Sequence, residues 1–129
     1  MTEELRRILY VEDEEDIQTL VRLSLENLSD YELRVCSSGE EALEQAAHFE
    51  PDLFLLDVMM PDMDGPTTLK ELRKMPEFQK TPAVFITAKV QVHEVEQYKE
   101  LGVLDVIEKP FDIVELPERL KAAWENRNA

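Results

Sequence analysis

Three acidic side chains, a threonine and a lysine stand directly after short apolar runs of the sequence. Glu12 and Asp13 follow the first run, Asp57 follows a second, and Thr87 and Lys109 follow two more. If these runs are parallel strands of one sheet, the side chains converge at the edge where the strands end. The edge then combines three carboxylates, a hydroxyl and an amine.

Three carboxylates crowded together repel one another unless some are protonated or a cation lies between them. Mg²⁺ suits such a set because it takes oxygen ligands and keeps waters that a phosphate can replace, and Mn²⁺ could substitute for it. A carboxylate can then attack an electrophilic phosphorus and form an acyl phosphate, with Asp57 as the candidate nucleophile. The Lys109 ammonium and the Thr87 hydroxyl would each hold a phosphoryl oxygen.

The elements that position these residues follow from hydrophobic patterning. Apolar runs at residues 8–11, 53–56, 83–86 and 103–107 are too short for helices and predict buried strands. The alternating stretch at residues 31–36 predicts a half-exposed edge strand, and the first two buried runs should be neighbours in mid-sheet. Helical faces lie between the strands, at Ile17, Leu20, Val21, Leu25 and Leu28 and at Ala42, Leu43, Ala46 and Ala47.

This alternation of strand and helix predicts an open α/β domain with a parallel sheet and helices on both faces. Gly39 and Gly65 stand beside helix starts, and Pro66 fits a first helical turn. Asp112 has the character of an N-cap for the last helix. Pro117 would then lie too deep inside, so we expect that helix to start late or to kink.

Composition limits the class of protein. The length of 129 residues predicts a single domain over residues 1–129 with no output domain. The net charge of −15 disfavours nucleic acid as a direct partner. No apolar run approaches the roughly 20 residues that span a bilayer, and the start MTEELRR lacks the apolar segment of a signal peptide, which predicts a cytoplasmic location. The single cysteine, Cys36, cannot form an intramolecular disulfide.

Four stretches, ILYVEDEED, LLDVMMPDMDG, FITA and EKPF, occur in this order along the chain. In order and spacing they resemble the motifs of response-regulator receiver domains of two-component signalling, including single-domain chemotaxis receivers. The resemblance covers nearly the whole chain. It implies a flavodoxin-like, doubly wound fold with five parallel strands in the order 2-1-3-4-5.

The resemblance also implies roles for individual residues. Asp57 would be the phospho-acceptor, and the metal ligands would be Glu12, Asp13, Asp57 and the backbone carbonyl of Met59. The lysine and threonine named above would contact the phosphoryl group. The domain would act as a signalling module rather than an enzyme, capable only of self-phosphorylation and slow self-dephosphorylation.

The same resemblance implies partners. A histidine kinase or phosphotransfer protein would donate the phosphoryl group, and a downstream protein would bind the face formed by the fourth helix, fifth strand and fifth helix, roughly residues 91–126. A homodimer through this face is a further arrangement that the family allows.

Two positions depart from the family pattern. The acidic pair is usually two aspartates, whereas Glu12 here reaches one methylene further and could bind the metal through water. Three residues before Lys109 the family commonly carries an aromatic side chain that swings inward on activation, and this chain carries Val106. We therefore hypothesise weaker coupling from Asp57 to the output face, or coupling through other residues.

Other functions compete with this interpretation. A haloacid-dehalogenase-type phosphatase needs a second acid two residues after its nucleophile, where this chain has Met59. An EF-hand fails because Met60 stands at a ligand position and the bidentate glutamate is missing. A nucleotide or flavin carrier would need a glycine loop after the first strand. The serious rival is a receiver-like scaffold that only binds a partner or dimerises. The intact Asp57, Thr87 and Lys109 argue against it, whereas the lack of an aromatic residue at Val106 slightly supports it.

Overall fold

The computed structural model describes residues 4–128 of the chain. Five strands form one parallel sheet in the order β2-β1-β3-β4-β5, which confirms the predicted fold and topology. The prediction that the start MTEELRR is not a signal peptide concerns in part residues 1–3, which lie outside the described residues. The elements are β1 (Arg7–Val11), α1 (Glu15–Asn27), β2 (Glu32–Cys36), α2 (Gly39–Phe49), β3 (Leu53–Asp57), α3 (Gly65–Leu72), a 3₁₀ turn (Pro76–Phe78), β4 (Ala83–Thr87), α4 (Val92–Glu100), β5 (Val103–Glu108) and α5 (Leu116–Glu125).

The sheet separates two apolar layers. On one face, side chains of α2, α3 and α4 pack against Leu9, Phe54 and Phe85. On the other, α1 and α5 pack against Ile8 and Leu55. Every residue of β3 and β4 is buried, whereas β2 alternates towards solvent as an edge strand does. The predicted central pairing of β1 with β3 is confirmed.

Two predicted helix faces were partly wrong. Val21 and Leu25 of α1 are buried, but Leu20 and Leu28 are 40% and 51% exposed. Leu20 lies one residue, or about 100°, away from Val21 around the helix axis, and Leu28 is already the C-cap. On α2, Ala47 is exposed for the same angular reason.

Local signals at the helix ends explain where the helices begin. The Asp64 carboxylate caps α3 by accepting from Thr67 N, and Pro66 lies in the first turn as predicted. The late start of α5 is confirmed, since the helix begins at Leu116 and Pro117 lies in its first turn. The N-cap prediction for Asp112 was wrong, because its carboxylate accepts from Val114 N in the preceding turn.

Within residues 4–128, no helix combines the length and the apolar character needed to cross a bilayer.

Candidate functional site

The carboxyl ends of four strands lie side by side at one edge of the sheet. Val58 N donates to Ile86 O at 2.9 Å, which joins the ends of β3 and β4. Lys109 N donates to Thr87 O at 2.8 Å, which joins β4 to the residue after β5. These backbone bonds bring together the residues that the sequence placed after each strand.

Three carboxylates meet at this edge. Ligand oxygens of Glu12, Asp13 and Asp57 all lie within 4.8 Å of one another. Glu12 and Asp57 are buried, at 0% and 1% exposure, whereas Asp13 is exposed. Two buried carboxylates this close would be costly without positive charge nearby. Part of that charge comes from Lys109, whose ammonium nitrogen lies 2.9 Å from Glu12 Oε1 and 3.3 Å from Asp57 Oδ1.

The Glu12 carboxylate is held by further donors. Tyr10, which is fully buried, donates its hydroxyl to Glu12 Oε1 at 3.3 Å. Glu14 N donates to the other carboxylate oxygen at 3.2 Å. Sequence reasoning missed Tyr10. The signal was present, because a tyrosine two residues before Glu12 on a buried strand points to the same face, and a buried phenol needs a polar partner.

The two carboxylate oxygens of Asp57 differ. Oδ1 accepts from Met59 N at 3.4 Å and faces the Lys109 ammonium. Oδ2 is buried and has no hydrogen-bond partner among the described residues. A buried acceptor of this kind requires an explanation, and a bound cation or ligand would supply the missing partner.

Gly65 lets the chain close over the strand end. A Cβ at this position would lie 2.5 Å from the carbonyl oxygen of Asp57, closer than side-chain and backbone atoms approach. Gly65 N also donates to Val58 O at 3.0 Å. A larger residue here would displace the backbone that carries Asp57.

The electrostatics follow from burial and proximity. Burial raises the pKa of Glu12 to about 7, with the Asp57 charge adding to the shift and the Lys109 hydrogen bond opposing it. Burial also raises the pKa of Asp57, against the influence of Glu12 and Lys109. Burial acts to lower the pKa of Lys109, but its contacts with Glu12 and Asp57 outweigh this and raise it. Lys109 is therefore a firmly held cation.

Thr87 and Met59 lie at the same edge with different environments. Thr87 is buried, and its hydroxyl donates to Lys89 O at 3.2 Å and accepts from Lys89 N at 3.3 Å. The Met59 side chain is 72% exposed beside Asp57. The predicted metal contact of the Met59 carbonyl and the predicted phosphoryl contact of Thr87 stay predictions.

The acidic cluster fits a hard divalent cation. Its donors are all carboxylate oxygens, which Mg²⁺ and Mn²⁺ prefer over nitrogen or sulfur ligands. The unpartnered Oδ2 of Asp57 supplies an acceptor that a cation or its bound water would satisfy. Glu12, Asp13 and Asp57 are the residues that would hold it.

Comparison with known proteins gives a consistent set of relatives. Residues 8–121 match the family model of the response regulator receiver domain. The alkaline phosphatase synthesis transcriptional regulatory protein PhoP of Bacillus subtilis is 42% identical over 119 residues, which is 91% of this chain and 48% of PhoP. The response regulator ArlR of Staphylococcus saprophyticus is 36% identical over 118 residues, which is 92% of this chain and 52% of ArlR. The chain thus spans about half the length of these relatives.

A solved structure supports the same relationship. The chemotaxis protein CheY4 of Vibrio cholerae superposes with a TM-score of 0.86 at 27% sequence identity, over 92% of this chain and 98% of CheY4.

Proposed function

This chain belongs to the response regulator receiver domain family, and on that basis we propose that it accepts a phosphoryl group on Asp57 from a histidine kinase or phosphotransfer protein. Receiver domains of response regulators act in two-component signalling with histidine kinases and downstream effectors. The reaction that we propose requires Mg²⁺, or Mn²⁺ in its place.

One observation carries this proposal. Asp57 presents a buried carboxylate oxygen, Oδ2, without a hydrogen-bond partner among residues 4–128, while Oδ1 is held by Met59 N and the Lys109 ammonium. The large majority of buried side-chain polar atoms have a hydrogen-bond partner, so the unpartnered oxygen argues against a purely structural role. A buried carboxylate that keeps one oxygen for a cation, and lies beside an ammonium that can bind a phosphoryl oxygen, supports the role of a phospho-acceptor.

The metal ligands would be Glu12, Asp13, Asp57 and the Met59 carbonyl. The cation would neutralise charge that accumulates on the phosphoryl oxygens during transfer. Asp13 is the exposed member of the set, so it faces the side from which a cation and a donor enter.

The transfer is a displacement at phosphorus. The Asp57 carboxylate supplies the electron pair for a new O–P bond, and the bond from phosphorus to the donor atom breaks, with its electron pair leaving on the donor. Lys109 lies next to Asp57 and would bind one phosphoryl oxygen, and the Thr87 hydroxyl would turn from Lys89 to bind another. The product is an acyl phosphate on Asp57. The role is that of a phospho-acceptor, with slow self-dephosphorylation as its only turnover.

Signal output in this proposal uses the face of α4, β5 and α5. On this face Arg119 pairs with Asp105 at 2.8 Å, and Val106 is half-buried opposite Phe85 in the sheet register. A downstream protein would bind this face, and a homodimer through the same face is part of the proposal. We further propose a cytoplasmic location and no direct contact with nucleic acid, given the charge of −15.

The test is phosphorylation by a small acyl phosphate donor in the presence of Mg²⁺, followed by intact mass. Wild type should gain one phosphoryl group, and the gain should disappear when the metal is chelated. Asp57→Asn should show none, with folding verified by circular dichroism. If folded wild type gains nothing, the phosphorylation-independent binding module becomes the better account.

A further inference from the structure

A large cavity lies at the edge of the sheet opposite the acidic site. Its volume is about 630 Å³, and the starts of β4 and β5 border it. Four cationic side chains line it: Arg73, Lys80, Lys99 and Arg127. None of the residues assigned to the phosphoryl site takes part in it.

The positive charge of this cavity is unusual for the chain. The sequence has 14 basic residues against 29 acidic ones, yet four of the basic residues meet here, with Glu100 as the acid among the lining residues. Elsewhere Arg7, Arg22, Lys74 and Arg119 pair with carboxylates. Within residues 4–128, none of the four cavity cations forms an ion pair. A concave surface with unpaired positive charge attracts anions.

Arg73 gives the cavity a fixed donor. Its half-buried guanidinium donates to the carbonyl oxygens of Phe78, Thr81 and Leu101. These bonds use four of the five N–H groups of an arginine, and the remaining N–H, on Nη2, has no acceptor among residues 4–128. Burial without a carboxylate partner lowers the pKa of Arg73. An anion here would therefore meet a positioned cation rather than a mobile side chain.

Gly102 leaves this donor open to the cavity. A Cβ at Gly102 would lie 2.7 Å from Arg73 Nη2, and the φ of Gly102 is +85°, which favours glycine. Any other residue here would crowd the Arg73 guanidinium and narrow access to it. The glycine thus serves both the turn into β5 and access to Arg73.

The rest of the lining is apolar, with Pro82, Val103 and Leu104 among it. Small-molecule sites commonly measure about 300–1,000 Å³ and combine apolar walls with a few polar anchors. We propose that this cavity binds an organic di- or triphosphate such as a nucleoside polyphosphate, with the phosphates on the four cations and the organic part on the apolar wall. This site is independent of Asp57 and of the proposed phosphorylation.

The chain contains its own reporter for this site. The guanidinium carbon of Arg127 lies 3.8 Å from the ring centroid of Trp124, the single tryptophan. A phosphate that binds Arg127 alters this cation–π contact and with it the Trp124 fluorescence.

The experiment is a titration of the metal-free full chain with adenosine triphosphate, followed by Trp124 fluorescence and calorimetry. We expect saturable binding at one site in wild type and, unchanged, in Asp57→Asn. The double variant Lys80→Gln with Lys99→Gln should bind at least about tenfold more weakly, which corresponds to about 1.4 kcal/mol for the two lost phosphate contacts together. The control pair Lys70→Gln with Lys121→Gln removes equal charge outside the cavity and should bind like wild type.

Other outcomes overturn the proposal. No saturation up to about 1 mM would remove the site, and equal weakening in the control pair would show that only net charge matters. Loss of binding in Asp57→Asn would place the nucleotide at the acidic edge instead. Inorganic tripolyphosphate should bind more weakly than adenosine triphosphate, and equal affinity would contradict the role of the apolar wall.

Discussion

The ammonium nitrogen of Lys109 lies 2.9 Å from Oε1 of Glu12, although 97 residues separate the two in sequence. The same nitrogen lies 3.3 Å from Asp57 Oδ1, so a single cation bridges two buried carboxylates. This bridge links the end of β5 to the ends of β1 and β3 and holds both carboxylates in place.

Removal of that cation should destabilise the metal-free chain. In Lys109→Met the two carboxylates keep their burial and lose the ammonium, and removing one partner of a buried ion pair costs about 3–5 kcal/mol. Urea unfolding at pH 8 measures the loss in the free energy of unfolding. Lys121→Met, at an exposed position on α5, is the control and should stay close to wild type. Equal stability of the two variants would show that the bridge contributes nothing.

The raised pKa of Glu12 predicts a pH-dependent stability in the absence of metal. Its ordinary value of 4.5 rises to about 7 in the folded chain, so this group favours folding below about 4.5 and that contribution is lost as the pH rises through 7. Glu12→Gln removes the ionisation. The variant should be more stable than wild type at pH 8 by about 1 kcal/mol or more, and the difference should vanish towards pH 4.5.

With saturating Mg²⁺ at pH 8, wild type should become more stable than Glu12→Gln. The cation binds the ionised carboxylate of Glu12 more tightly than the amide of the variant, and tighter binding stabilises the folded chain more. Glu44→Gln, on the exposed side of α2, is the matched control. A pH-independent difference between Glu12→Gln and wild type would contradict the assignment of a raised pKa to Glu12.

Tyr10 should act on the site through Glu12. Tyr10→Phe keeps the aromatic packing of the α1 and α5 layer and deletes only the hydroxyl that donates to Glu12 Oε1. We expect Mg²⁺ to bind a few-fold more weakly, since the Glu12 carboxylate loses one of the bonds that orient it, worth about 1 kcal/mol. Calorimetric titration with Mg²⁺ measures this. In a Glu12→Gln background the same change should have a smaller effect, and an undiminished effect would mean that Tyr10 acts by another route.

Much of this site could be predicted because its residues follow buried strands. The runs before Glu12, Asp57 and Thr87 have a strand signature, and parallel strands deliver their last residues to one edge. The motifs assign no role to Tyr10, and its position two residues before Glu12 was the one sequence signal of its contact with that carboxylate. Arg73 had no such signal, because its acceptors lie up to 28 residues away in sequence and meet only in the folded chain.

The helices were harder to predict than the strands. Leu20 fits an apolar pattern by residue type, but its position on α1 turns it away from the sheet. The first residue of α5 depended on whether Pro117 or the preceding Asp112 dominated, and the proline did, because its ring is tolerated only in a first turn.

Phosphorylation of Asp57 should have only a weak effect on the face of α4, β5 and α5, because Val106 stands where the family commonly has an aromatic residue. The side chain is half-buried in the layer under α4, beside a cavity of about 160 Å³ that Tyr98 also lines, and it has no ring to move. We expect amide hydrogen exchange at residues 91–107 to differ little between the free and phosphorylated chain, with Asp57→Asn treated identically as the control. Strong phosphorylation-dependent protection across this segment would contradict weak coupling.

The most direct test of the account is the chemical location of the phosphoryl group. After incubation with Mg²⁺ and a small acyl phosphate, borohydride reduces an aspartyl phosphate to homoserine, which peptide mass spectrometry locates in the sequence. The account predicts homoserine at position 57 alone, in samples that contain metal, and none in Asp57→Asn. Homoserine at another acid such as Asp13, or none in folded and metal-loaded wild type, would contradict it.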